Sequence, residues 1–173
     1  PKPVSRYSAD VATGVIHTAK EQEATTIILG IHRKLTAADS HSGPYSEAFL
    51  SRLHREVVMI KMLMPFNTLR RIVVAVPPKA QFEPGFSKWM NHVLKVGRTL
   101  GCQIHFHCSH ETAMFVRLIV DRQGYSDKVR IEQMDSWDEF MMLSASVNYD
   151  HLLIAAASRP GGGSFLPGFL KFP

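Results

Sequence analysis

The chain has 173 residues and a mass of 19.4 kDa, enough to bury one core, or two halves sharing one, without a metal or disulfide staple. Apolar residues at 45% and charged residues at 20% exclude a disordered chain, and a mean hydropathy of -0.04 with only strand-length apolar runs excludes a membrane span. A net charge of +5 admits an anionic partner, but the basic residues are scattered, with Arg70-Arg71 the densest spot, so no nucleic acid is expected.

The start, Pro1-Lys2-Pro3-Val4, has neither an apolar leader nor an initiator Met, so the chain is expected to be cut from something larger. Val4–Ser8 reads as a weakly extended start. Ala9–Ala24 reads as a helix, with Ala12, Val15, Ile16 and Ala19 on one face and Asp10 or Ser8 as cap. Thr25–Gly30 (TTIILG) is continuously apolar and β-branched, which predicts a strand buried on both faces. Lys34–Tyr45 reads as a loop around Gly43-Pro44. Ser46–Arg55 is predicted as a short helix with Phe49, Leu50 and Leu53 inward, and Glu56–Leu63 as a strand.

Met64–Leu69 connects to a second alternation. Arg71–Val76 (RIVVAV) predicts a buried strand stopped by Pro77-Pro78. Gly85–Leu100 predicts a helix packed through Phe86, Trp89, Met90, Val93, Val96 and Gly97 and ended by Gly101. Gln103–Cys108 is a strand. Glu111–Gln123 is a helix whose apolar stripe is Met114, Phe115, Leu118 and Ile119. Lys128–Met134 is a strand with polar alternation. Ser136 to Glu139 form a capping box opening a helix to about Val147. His151–Ala157 is a strand, and Ser158–Gly168 a glycine-rich loop. Strands separated by single helices predict an α/β fold: an open, mainly parallel sheet with helices on both faces, Rossmann-like in layout.

Sliding the sequence by 125 positions sets Asp10 on Asp135, Thr25–Gly30 on Asp150–Ala155 and Gly43 on Gly168. The chain therefore reads as one and a half tandem units. Residues 1–65 form the back half of a first unit. Residues 66–173 form a second that lacks its last helix and strand.

A helix, a buried strand ending in Gly and a loop spaced G-x2-G-x9-G-[S/T] resemble the universal stress protein fold. In that family the loop wraps the phosphates of ATP through close-approaching glycine N–H groups. The first unit has Gly30, Arg33, Gly43 and Pro44 at these places; the second has Ala155, Ser158, Gly168 and Phe169. Nucleotide-binding members end their first strand in Asp, where this chain has Pro77. The resemblance thus implies a damaged ATP site in both copies.

The segments Asn67–Pro78 (NTLRRIVVAVPP), Leu100–His107 (LGCQIHFH) and Val147–Leu153 (VNYDHLL) resemble the cytosolic C-terminal region of bacterial cation/proton antiporters of the monovalent cation:proton antiporter-2 group. The resemblance implies a regulatory or assembly domain on the cytoplasmic face of the inner membrane, with no transport pathway of its own. It implies as partners the membrane domain of the same antiporter chain and a second copy in a homodimer. A nucleotide effector, ATP, AMP or a cyclic dinucleotide, is the second reading. No cofactor is expected.

Three groups of residues are weighed for chemistry. His105, His107, Cys108 and His110 are the densest ligand-type cluster, and His105 and His107 share a strand face. Polar residues gathered at the carboxyl end of a parallel strand account for them more simply. A pH-sensing role suits imidazoles titrating near pH 6.5. The glycine run Ser158, Arg159, Gly161, Gly162 and Gly163, with Gly30, Arg33, Lys34, Gly43 and Gly168, lies where doubly wound sheets bind small anions. It lacks the Gly-Lys-[Ser/Thr] end of a P-loop. No catalytic residue is expected, because Ser158, Ser164 and Cys108 have no nucleophile elbow or spaced acid–base partners. Cys102 and Cys108 are too few for a disulfide framework and fit a reducing compartment.

Overall fold

The computed structural model describes residues 3–30, 52–60, 64–136, 138–158 and 161–164. The loop expected over Lys34–Tyr45 lies outside them, as does most of the helix expected over Ser46–Arg55. The described residues fall into two compact units, 3–60 and 64–164.

In the first unit, helix α1 (Val11–Glu21) precedes strands β1 (Thr26–Gly30) and β2 (Glu56–Ile60), which pair in parallel with Thr26 beside Glu56. The Asp10 side chain caps α1 by accepting from the Thr13 N–H at 2.8 Å. Ala12, Ile16 and Ala19 lie one helical face apart and close on Ile27 and Leu53. Thr26 Oγ1 donates to Glu56 Oε2 at 2.9 Å across the strand pair. Val4–Ser8 pairs with no strand among the described residues and is exposed. One expectation is corrected here. Among the described residues β1 is covered on one face: Ile27 is buried against α1, whereas Ile28, on the opposite pleat, is 66% exposed.

The second unit alternates strictly. Strand β3 (Arg71–Ala75) leads through helix α2 (Phe86–Leu100) to β4 (Gln103–Cys108). Helix α3 (His110–Arg122) leads to β5 (Val129–Gln133), and helix α4 (Asp138–Ser146) leads to β6 (His151–Ala155). The four strands form one parallel sheet in the order β5-β4-β3-β6. This is an open, parallel α/β fold of the Rossmann-like kind, as the alternation predicts.

Register fixes the two faces of this sheet. Ile104, Phe106 and Cys108 point toward α2 and α3, whereas His105 and His107 point the other way. Gly97 brings α2 down onto that first face: a Cβ there would stand 2.4 Å from Ile104 Cδ1. Phe140 and Leu143 of α4 pack with Ala75, Leu153 and Ala155 on the opposite face, so helices cover both sides. Ile72, Val74, Ile104 and Phe106 are fully buried; side chains of this kind contribute about 1.5–3 kcal/mol each.

The local signals hold at both ends of the helices. α2 ends at Gly101. Tyr125 Oη donates to the Cys102 carbonyl at 2.8 Å, beneath the Arg98 guanidinium that lies 5.5 Å over its ring. Ser136 N–H and Oγ both donate to Glu139 Oε1 at 3.1 Å, the reach-back of a capping box. The expected packing faces are partly corrected. In α2, Leu94 is buried and Val96 exposed. In α3, the buried residues are Thr112, Val116 and Val120, while Met114, Phe115 and Leu118 face solvent. Thr and Val are shorter side chains than Met, Phe and Leu, and the helix turns this shorter set toward the sheet.

β6 begins and ends 125 positions after β1, and α4 ends 125 positions after α1. The helix–strand pair of the first unit therefore recurs at that offset in the second.

Candidate functional site

In the second unit β3 and β6 are neighbours, yet the chain leaves β3 toward β4 on one side and returns to β6 on the other. The strand carboxyl ends at such a reversal are the usual ligand position in sheets of this kind. Pro77, fully buried, follows β3 there. Lys79 turns the chain with φ 66, a left-handed conformation, into a single 3-10 turn at Ala80–Phe82.

Glu83 comes off that turn and reaches the loop that follows β6. Its Oε1 accepts from Ser164 N–H at 3.0 Å and from Ser164 Oγ at 3.1 Å. Ser164 is only 4% exposed. Gly162 lies against the same carboxylate: a Cβ there would stand 2.9 Å from Glu83 Oε1 and 2.6 Å from Ser158 Oγ. The loop thus wraps an anion at close range, and the anion belongs to its own chain. A polar chain runs alongside. Ser109 Oγ caps α3 by accepting from the Thr112 N–H at 3.3 Å, and Thr112 Oγ1 donates to Gln81 Oε1 at 2.8 Å. Gln81 Nε2 is buried without a hydrogen-bond acceptor among the described residues.

Of the expected anion-binding residues, Ser158 and Gly162 meet at this point, with Gly161 and Gly163 beside them in the loop. Gly30 ends β1 in the other unit and has open space around it. Arg33, Lys34, Gly43, Arg159 and Gly168 lie outside the described residues. Ser164 falls in the expected glycine-rich loop, and Glu83, Gln81 and Thr112 are the members that sequence reasoning missed. Nothing local marks them, since Glu83 meets Ser164 across 81 positions of chain.

The histidine cluster is split by the pleat. His105 and His107 lie on one face of β4, where Glu132 of β5 bridges them: Oε1 stands 3.7 Å from His105 Nδ1 and Oε2 3.7 Å from His107 Nδ1. Cys108 and His110 line a depression on the other face with Ala113 and Arg117 of α3. The four weighed candidates therefore stand on two faces of the sheet rather than together. Among the described residues no three His, Cys, Asp or Glu side chains come together as a metal site.

Burial governs the chemistry of each half. It pushes the Cys108 thiol up to about 11, against a weaker pull from Arg117, so the sulfur stays protonated. Burial also lowers both histidines below their ordinary value. Arg71 adds to the effect at His105, and Glu132 opposes it at both. His105 Nε2 is buried with no partner among the described residues. The pair is therefore neutral at pH 7 and takes up protons on acidification.

Two depressions border α3 and β5, with volumes of about 230 Å³ and 160 Å³. Both are below the ~300 Å³ at which small-molecule sites begin. Among the described residues no helix is long and apolar enough to cross a membrane. No family model matches the chain, and neither a curated protein nor a solved structure matches it.

Proposed function

We propose that this chain is the cytosolic regulatory and assembly domain of a membrane cation:proton antiporter of the monovalent cation:proton antiporter-2 group, without transport or catalytic chemistry of its own. It acts on the membrane domain of its own chain, at the cytoplasmic face. The resemblance of Asn67–Pro78, Leu100–His107 and Val147–Leu153 to that region suggests the family. The observation that carries the regulatory reading is Glu83. Held by Ser164, its carboxylate stands against the loop after β6, and it repels a phosphate brought to that loop.

Deleting this region from the carrier is the test. Cation movement persists, while the pH profile, the ion response or the oligomeric state changes. A carrier unaltered in all three overturns the proposal. The glycine loop at the strand reversal favours one other reading, a nucleotide sensor. A melting temperature raised by millimolar ATP, AMP or a cyclic dinucleotide would decide for that sensor.

A further inference from the structure

Helix α3 has two apolar faces. Thr112, Val116 and Val120 turn into the unit and are buried. On the other side, at helical spacing, stand Glu111, Met114, Phe115, Leu118 and Arg122. Met114 is 58%, Phe115 38% and Leu118 53% exposed. Phe82 meets Phe115 edge to face, ring centroids 6.3 Å apart, and widens the patch. Large apolar side chains gathered on one uncovered face, while slimmer ones fill the core, mark an association surface.

The charges at its two ends select the occupant. Glu111 and Arg122 are both exposed and lie equally far from the midpoint between Val116 and Arg117. Laid antiparallel across a two-fold axis at that midpoint, a second α3 brings its Arg122 to Glu111 and its Leu118 to Phe115. Each contact then occurs twice, as an isologous interface requires. A parallel second helix would set Glu111 against Glu111 and Arg122 against Arg122.

We propose that α3 is a self-docking surface through which two copies of this chain pair antiparallel, Phe115 against Leu118 and Glu111 against Arg122. This deepens the assembly reading above, on which it rests, by naming the partner as a second copy and the surface as α3.

Sedimentation of the full chain tests it. The expected result is a concentration-dependent dimer. Leu118→Glu weakens it by about tenfold or more in Kd. Glu111→Arg also weakens it, and adding Arg122→Glu restores affinity to within about threefold of the original, because the reversed charges again face each other. Circular dichroism identifies variants that keep the fold. A wild-type chain that stays monomeric up to about 0.1 mM overturns the proposal. So does a folded Leu118→Glu variant with unchanged Kd, or a double reversal no better than Glu111→Arg alone. If the chain is monomeric yet its deletion changes the carrier's regulation, α3 pairing fails while the regulatory reading stands.

Discussion

The strands TIILG of the first unit and RIVVA of the second carry the same kind of apolar, β-branched run, and they are buried to different depths. In β3, Ile72, Val74 and Ala75 are fully buried and Val73 is 4% exposed. In β1 only Ile27 is buried, and Ile28 faces outward. The difference lies in neighbours. β3 has a strand on each side and helices against both faces, whereas among the described residues β1 has β2 on one side and α1 on one face. A continuous apolar run therefore specifies a strand, and the number of layers around it sets how much burial that strand contributes.

Substitutions can break this comparison. The largest effect is expected at the centre of the second unit. Phe106→Ala removes a fully buried ring and should cost about 3–5 kcal/mol in urea unfolding. A cost below 1 kcal/mol would mean that this core is not packed as described. Gly97→Ala gains helix propensity, yet its Cβ would drive into the fully buried Ile104. A net loss of about 1–3 kcal/mol is expected, and adding Ile104→Val should recover part of it.

Glu83→Gln keeps the side-chain shape but removes the charge that Ser164 holds. About 1 kcal/mol is expected in the same assay, with faster amide exchange at Ser164. Acidification comes next. The folded state holds His105 and His107 below their unfolded value, so the unfolded chain binds more protons between the two. Stability is full above about pH 6.5 and falls as pH drops below it. Denaturation midpoints at pH 7 and pH 5 should show the loss, and replacing both histidines with Gln should flatten it. The smallest effect belongs to the first unit. Ile28→Thr should change stability by no more than about 0.5 kcal/mol, because the side chain already faces solvent. A cost matching that of Phe106→Ala would erase the distinction between the strands.

The alternation of elements was legible in the sequence because a parallel strand must be apolar along its whole length and its crossover helix must be long. Arg71–Ala75 and Gln103–Cys108 were found nearly to the residue. The facing of α3 was not legible. Met114, Phe115 and Leu118 make as good a stripe as Thr112, Val116 and Val120, and hydrophobicity favours the first set. The sheet took the second, slimmer set, so the bulkier one was left outward. Within the candidate site, the glycines of the loop could be found from sequence, since they punctuate it. Glu83 could not, because its role depends on a contact made by folding rather than by spacing. His105 and His107 were placed on one face by strand period alone, and the same period separates them from Cys108.

The position of β3 has a consequence for how the second unit assembles. It is the first of the four strands in the chain and an inner strand of the sheet, pairing Arg71 with Gln103 on one flank and with His151 on the other. During synthesis β3, β4 and β5 emerge as a set that can pair while β6 is still unmade. The open flank of β3 must then wait, apolar and unpaired, for the longest loop closure in the unit. Docking of α4 and β6 then completes the sheet. Until it occurs, the nascent chain presents a sticky strand edge to other nascent chains.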